Sequence, residues 1–372
     1  MKNHVLVTGG AGFVGSHLVD ALLMAGHRVR VLDNLATQVH GESAPDYLSP
    51  DVELVRGDTR DAQAVQQALE GIDMVFHLAA AVGVGQSMYE IAHYIGANVQ
   101  GTAVLLQELL SRKSRVQKLV LASSMSVYGE GKYVCVNCGS FSPALRSAAQ
   151  LRNKEWEPKC PECGRTLTAL PTDESKTLQS SSIYALAKKA QEEMCLLFGQ
   201  TYSLPVVALR YFNIYGPRQA LSNPYTGVAA IFAARLLNGN APLVFEDGKQ
   251  MRDFVSVEDA VQATMLAMEH SQADGLALNV GSGEPISIGE VATSLARALQ
   301  AEVQADCRGK YRSGDIRHCF ADITLARELL GYEPRVRFNQ GLTRLVRWLR
   351  SQQPTDRAAE ATAQLSSFGL TV

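Results

Sequence analysis

The stretch "HVLVTGGAGFVGSHLVDALLMAG", residues 4–26, decides how the rest of the chain is read. It opens with a short apolar run and passes through Gly9, Gly12 and Gly15. It then continues with apolar residues at helical spacing up to Gly26. A strand, a tight glycine turn and a helix in that order predict a phosphate cradle. Glycines let the backbone turn and approach a pyrophosphate, which then faces the free N–H groups and positive dipole end of the helix. Asp33 closes the next apolar run, 33 − 15 = 18 residues after the last glycine. A carboxylate there accepts hydrogen bonds from a ribose diol and repels a 2′-phosphate, which favours NAD over NADP. Asp58, in "GDTRD", is placed either to meet the adenine or to serve as an ordinary helix N-cap.

Outward from this motif the pattern repeats. "RVRVLDN" (28–34), "VELVRGD" (52–58), "DMVFHLAA" (73–80) and "KLVLASS" (118–124) read as strands, with a helix over Asn98 to Arg112 before the last of them. Strands alternating with helices mean βαβ units and a parallel sheet, and strands covered on both faces are apolar throughout. The predicted fold class is α/β, a doubly wound parallel sheet. Regular patterning stops after Ser124, and residues 131–170 are polar and cysteine-containing. A helix resumes in "SSIYALAKKAQEEMCLLFGQTY" (181–202), followed by the strand "PVVALRYFN" (205–213). Helical stretches at Val228–Leu237, Val257–Glu269, Ile288–Leu299 and Leu342–Arg350 predict a smaller mixed domain. The layout is therefore 1–130 and 171–213 as the dinucleotide-binding domain, 131–170 as an insertion, 214–352 as mainly the substrate domain, and 353–372 as a mobile tail.

With 372 residues and 46% hydrophobic content, the chain can bury a sizeable core. Its formal charge is 35 − 37 = −2, which gives no global attraction to nucleic acid or anionic membrane. No apolar run approaches the ~18 residues of a membrane span. The N-terminal apolar part is too short for a signal peptide and runs straight into the fold motif. A cytoplasmic protein with no membrane or nucleic-acid partner is expected.

Tyr184 and Lys188 stand at i and i+4 on the predicted helix, so both side chains share one face. An ammonium beside a phenol favours phenolate and suits the tyrosine to base catalysis. Ser124, at the end of the fifth strand, is placed to bind a substrate hydroxyl. Taken with "HLAA", "NVQGT", "SSMSVYG", "YALAK", "RYFNIYGPRQ", "QMRDFVSVEDA" and "RSGDIRHCFAD", the chain resembles the extended short-chain dehydrogenase/reductases. Within these it resembles the Rossmann-fold nucleotide-sugar epimerase/dehydratase branch. That resemblance implies Ser124, Tyr184 and Lys188 as the catalytic triad. It implies NAD contacts from Gly9, Gly12, Phe13, Val14, Gly15, Asp33, Asn34, Asp58, Thr59, Leu78, Ala79, Ala80, Asn98, Tyr184, Lys188 and Tyr211. Ser124, Ser126, Asn213, Arg252, Arg312 and Asp315 become substrate residues, the arginines suiting a diphosphate because guanidinium offers paired donors. It also implies a homodimer paired through the helices at Asn98–Leu110 and Ile183–Phe198.

Within that branch, dehydratases carry an Asp-Glu pair just after the catalytic Ser/Thr, and decarboxylases commonly have Glu where Ser126 stands. This chain has Met125 and Ser126. Neither residue does such proton work near neutral pH, so both reactions are disfavoured. A 4-epimerase needs only one tyrosine and tightly held NAD. Resemblance points to dTDP-L-rhamnose or a related dTDP-6-deoxyhexose, with UDP-glucose or UDP-glucuronate 4-epimerases and a 4-keto-sugar reductase as alternatives.

Seven cysteines are present, and four form Cys135-x-x-Cys138 and Cys160-x-x-Cys163, each pair followed by glycine. The interval from Ser124 to Tyr184 is 184 − 124 = 60 residues, and most of its excess over the family pattern lies in this segment. Two such knuckles present four thiolates to one tetrahedral structural Zn²⁺, with no position left open for catalysis. The readings are a zinc ribbon, disulfides, another metal or none. A nucleic-acid-binding role for the ribbon, as part of an NAD-responsive regulator, is a remote alternative. Its positive charge is diluted by Glu155, Glu157 and Glu162.

Overall fold

The computed structural model describes residues 2–41, 44–111, 115–307, 309–312 and 314–371. Seven parallel strands form the central sheet. Their spatial order is Ala277–Val280, Val206–Tyr211, Lys118–Ser124, Met74–His77, His4–Thr8, Arg28–Asp33 and Glu53–Arg56. Strand order reverses between His4–Thr8 and Met74–His77, so the crevice beyond their C-terminal ends is the ligand position of a doubly wound sheet. The inner strands read as continuous apolar runs because helices cover both faces, with core clusters around Val5, Val7 and Phe76 on one side and Leu6, Val75 and Leu119 on the other.

The helix Phe13–Met24 follows the glycine turn. The helix Ile183–Tyr202 is capped by the Ser182 hydroxyl, which accepts the Ala185 N–H at 3.1 Å, and it closes on Ser203 at φ 56°. The helix expected over Asn98–Arg112 is a π-helical turn, Ile95–Gln100, continuing as an α-helix over Gly101–Ser111. Arg112 lies outside the described residues. A second core around Phe232, Phe254, Val291 and Leu345 underlies the smaller domain.

The segment expected as a mobile tail is a correction. Ala358–Ser367 is a helix that buries Ala358, Ala361 and Leu365, and Phe368 stacks on Tyr89 with centroids 4.8 Å apart. Alanine-rich sequence has high helix propensity, and docking supplies what composition does not reveal. Among the described residues, no helix is long and apolar enough to cross a membrane.

Candidate active site and cysteine cluster

The glycine turn is a cradle that side chains would fill. Gly9 adopts φ +71°, and a Cβ there would lie 2.7 Å from the Ala79 backbone nitrogen. A Cβ at Gly15 would lie 2.2 Å from the Gly9 carbonyl oxygen. Gly12 N-caps the helix without a side chain to occupy its first N–H groups, leaving that end to an anion. Asp33 is buried. Its carboxylate accepts from Ala11 N–H at 3.1 Å and Leu35 N–H at 2.9 Å, which aims it at the turn and leaves acceptor capacity for a diol. These residues fit NAD. Leu78 and Ala79 line the same turn through hydrogen bonds to Thr8, and Asn98 clamps Ala81 by two bonds of 2.7 and 3.1 Å. Phe13 and Val14 open the helix that follows the turn, and Ala80 follows Ala79 in the chain.

Other cofactor candidates have structural tasks. Asp58 is held by Arg60 at 2.8 Å and by Asn34 at 3.1 Å, and the Arg60 hydrogen bonds keep its carboxyl far below the usual range against the effect of burial. It is not the cap of the following helix; Asp61 is. Thr59 is buried against Gly101. Tyr211 sits in the core with its hydroxyl 2.6 Å from Thr264 Oγ1, and burial raises its pKa.

Tyr184, Lys188 and Ser124 come together where the helix Ile183–Tyr202 packs on the ends of the central strands. The Tyr184 N–H donates to Ser87 Oγ at 3.0 Å, and Lys188 Nζ donates to the Ala122 carbonyl at 2.9 Å. Ser126 Oγ donates to Ser124 Oγ at 2.9 Å, so the two hydroxyls stand as a pair. Burial pulls Lys188 down to about 8, and it raises Tyr184 despite an opposing hydrogen bond with Ser124. Desolvation of the phenolate dominates at Tyr184, and Lys188, one helical turn on and itself desolvated, is held at the Ala122 carbonyl. His77 is structural. Its ring nitrogens lie 2.7 Å from Thr8 Oγ1 and 2.9 Å from Thr102 Oγ1, and burial holds it neutral with a pKa of about 3.

Next to this centre a cleft is lined by Val84, Gly85, Ser182, Arg312, Asp315 and Leu365, among others. Arg312 lies over the Phe245 ring at 4.2 Å and its buried Nε has no partner among the described residues. Buried Asn213 Oδ1 is also without a partner among them. Arg252 donates from Nη1 and Nη2 to the carbonyls of Met251, Ile316 and Arg317 at 2.7–2.9 Å, which braces the segment behind Asp315, and these bonds leave its Nε–H and one Nη2–H for another acceptor. Sequence reasoning missed Ser87, which carries no pattern of its own, and Leu365, which was assigned to the tail.

The four cysteines Cys135, Cys138, Cys160 and Cys163 bring their sulfurs within 4.8 Å of one another. Strand Lys132–Cys135 pairs antiparallel with Gly139–Phe141 and with Thr168–Leu170, and Gly139 and Gly164 take positive φ at the two knuckles. A hydrogen bond from the Asn137 backbone lowers the Cys135 thiol against burial, whereas hydrogen bonds with the neighbouring sulfurs raise Cys138, and burial together with such bonds raises Cys163.

Residues 5–143 and 160–281 match the NAD dependent epimerase/dehydratase family. The chain is 32% identical over 349 residues to dTDP-L-rhamnose 4-epimerase of Burkholderia thailandensis, covering 93% of this chain and 94% of that protein. It is 33% identical over 358 residues to UDP-N-acetyl-alpha-D-glucosaminuronate decarboxylase of Bacillus cytotoxicus, covering 94% and 98%. It superposes on the UDP-glucose 4-epimerase of Thermus thermophilus in complex with NAD with a TM-score of 0.75 and 31% identity, covering 94% of this chain and all of that one. The chain belongs to the NAD dependent epimerase/dehydratase family. More narrowly, it is an NAD-dependent enzyme of the nucleotide-sugar epimerase group, an isomerase.

Proposed function

We propose that the chain is a 4-epimerase of dTDP-L-rhamnose or a related dTDP-6-deoxyhexose. The observation that carries the reaction type is the Ser124–Ser126–Tyr184–Lys188 centre, in which Tyr184 is the proton-transfer group and Met125 and Ser126 replace the acids that elimination requires. Similarity to the Burkholderia enzyme supports the sugar. Bound NAD supplies reversible oxidation at C4 with no net redox change. Tyr184 takes the C4 hydroxyl proton and returns it after the sugar has presented its other face. The Lys188 ammonium lowers the cost of the phenolate, and the Ser124–Ser126 pair holds the reacting oxygen. Arg312 and Asp315 bind the diphosphate and the nucleoside ribose, and Asn213 adds a contact near the diphosphate. UDP-glucose is the second reading, favoured by the similarity to the Thermus enzyme.

The cysteine cluster holds one structural Zn²⁺ in this reading. Four sulfurs in two glycine-backed knuckles match a closed tetrahedral site, and in a cytoplasmic setting the thiols stay reduced. A homodimer is supported by the exposure of Leu110, Leu186 and Leu197 on the two helices expected to pair. Leu186 and Leu197 are eleven residues apart and share a helix face.

The test uses purified protein with no added NAD, incubated separately with dTDP-L-rhamnose, UDP-glucose and UDP-glucuronate. Ring-proton couplings are followed by NMR. Conversion to a C4 epimer identifies the substrate. No change with NAD supplied, but consumption of NADH or NADPH with a 4-keto sugar, replaces the reading with a reductase.

A further inference from the structure

The insertion does more than sit beside the site: it grips the segment that carries Arg312 and Asp315. Both ends of the insertion are stitched to the chain just beyond that segment. Gly131 N–H donates to the His318 carbonyl at 2.8 Å, Thr172 N–H to the Phe320 carbonyl at 2.8 Å, and Asp322 N–H back to the Thr172 carbonyl at 3.1 Å.

The body of the insertion then reaches residues 311–318 at three points. The Trp156 ring lies 6.3 Å from that of Tyr311. Arg146 donates to the Asp315 carbonyl at 2.9 Å while bonding the Trp156 carbonyl at 3.0 Å and pairing with Glu246 at 2.9 Å. Glu157, which lies between the two cysteine pairs, accepts from Arg317 Nε at 2.9 Å and Nη2 at 2.6 Å, and its other oxygen lies 2.9 Å from His318 Nε2.

Arg317 is fully buried, and all five of its N–H groups are used. The three not given to Glu157 go to Glu246 at 2.9 Å and to Asp247 at 2.6 and 3.0 Å. Buried Glu130, just past the Ser124–Ser126 pair in the chain, accepts from Arg317 N–H at 2.6 Å and from the Tyr133 hydroxyl at 2.9 Å. Burying this many charges is costly unless every partner is in place, so the arrangement fixes one geometry rather than many. The described residues of the segment it fixes carry little regular structure between the two-residue strands at Asp306–Cys307 and His318–Cys319.

We propose that Arg146 and Glu157, both from the cysteine-bearing insertion, are positioning residues for the Arg312–Asp315 segment and so set the affinity for the nucleotide diphosphate. This rests on the assignment of that segment to the substrate. Neither residue reaches the Tyr184 centre, so the proton-transfer step is left to its own groups.

The experiment compares wild type with Arg146→Ala, Arg146→Lys and Glu157→Gln. Binding of UDP and of dTDP is measured by calorimetry, and KM and kcat with whichever sugar the wild type converts. Displacement of a binding group by a fraction of an ångström to an ångström is expected to weaken nucleotide binding and raise KM by ~10- to 100-fold. Expected alongside this are kcat within about twofold, unchanged NAD binding, and partial recovery in Arg146→Lys. A merely structural role would instead lower the active fraction, so kcat and NAD binding would fall together while KM held. That pattern, or unchanged nucleotide affinity in both Arg146→Ala and Glu157→Gln, overturns the proposal. If Arg146→Ala does not fold, Glu157→Gln decides alone. Wild type that binds a nucleotide but converts no sugar sinks the epimerase reading, and the binding comparison still tests the positioning. Wild type that binds neither nucleotide overturns both.

Discussion

Beneath the catalytic strand ends, Glu192 and Arg210 form a buried pair whose disruption has a calculable cost. Arg210 Nε and Nη2 reach the Glu192 carboxylate at 2.5–3.2 Å, with both side chains nearly inaccessible. The Ser123 hydroxyl donates to the same carboxylate at 2.6 Å, and Arg210 also donates to the Tyr128 hydroxyl at 2.8 Å and lies over its ring. Glu192→Leu removes the acceptor for the Ser123 and Arg210 donors and leaves a buried guanidinium without its counter-charge. Breaking one side of such a pair costs about 3–5 kcal/mol. The Ser123 donor, left unsatisfied, belongs to the upper part of that range. For a cooperative unit of 372 residues, an unfolding entropy of ~2.1 cal/mol/K per residue gives about 1.3 °C of melting temperature per kcal/mol, which translates the loss into ~4–6 °C. In Glu192→Leu/Arg210→Met the charge is removed together with its partner, so the double variant recovers much of that loss. Thermal and urea unfolding of the two singles and the double complete the cycle. A single variant costing under about 1 kcal/mol, or a double variant as unstable as the singles combined, refutes the claim that an unpaired buried charge sets the cost.

Other expectations bear on the site and the insertion. Tyr184→Phe lowers kcat by ~10²–10⁴-fold, measured by NMR turnover. Metal analysis of the purified protein finds about one Zn²⁺ per chain. Cys163→Ser or prolonged chelation makes residues 131–170 the first site of proteolytic cleavage, because the metal contributes folding free energy to a segment with a small core. Burial raises the Glu157 carboxyl, but hydrogen bonds from His318 and Arg317 outweigh it and hold the pKa at about 2. A depressed carboxyl stabilises the fold above its ordinary range and loses that contribution as pH falls. The stability advantage of wild type over Glu157→Gln is therefore full at about pH 6 and narrows from about pH 5 toward pH 3 in urea titrations. Leu197→Glu shifts a dimer toward monomer in sedimentation velocity, since it places a charge on the exposed apolar face shared with Leu186.

Local chemistry made much of this protein legible in its sequence. The turn at Gly9, Gly12 and Gly15 announces itself because only glycine tolerates the approach of Ala79 and of the Gly9 carbonyl. The parallel sheet follows from apolar strands alternating with amphipathic helices, and the Tyr184–Lys188 pair from helical spacing. Cys135, Cys138, Cys160 and Cys163 are recognisable because metal-ligand spacing is set within a few residues of chain. Tertiary structure decided the rest, since it depends on which distant groups share one buried volume. Arg252, whose residue type suits a phosphate, also braces the carbonyls of Ile316 and Arg317, a task no local pattern announces. The alanine-rich terminus carries no burial signal, yet it docks as a helix whose Leu365 lines the cleft. The charges at Glu130, Arg146, Glu157, Glu246 and Arg317 resemble ordinary surface residues one at a time. Only when the fold brings them together from separate stretches of chain does desolvation make each dependent on the others, and that joins the insertion to the substrate segment.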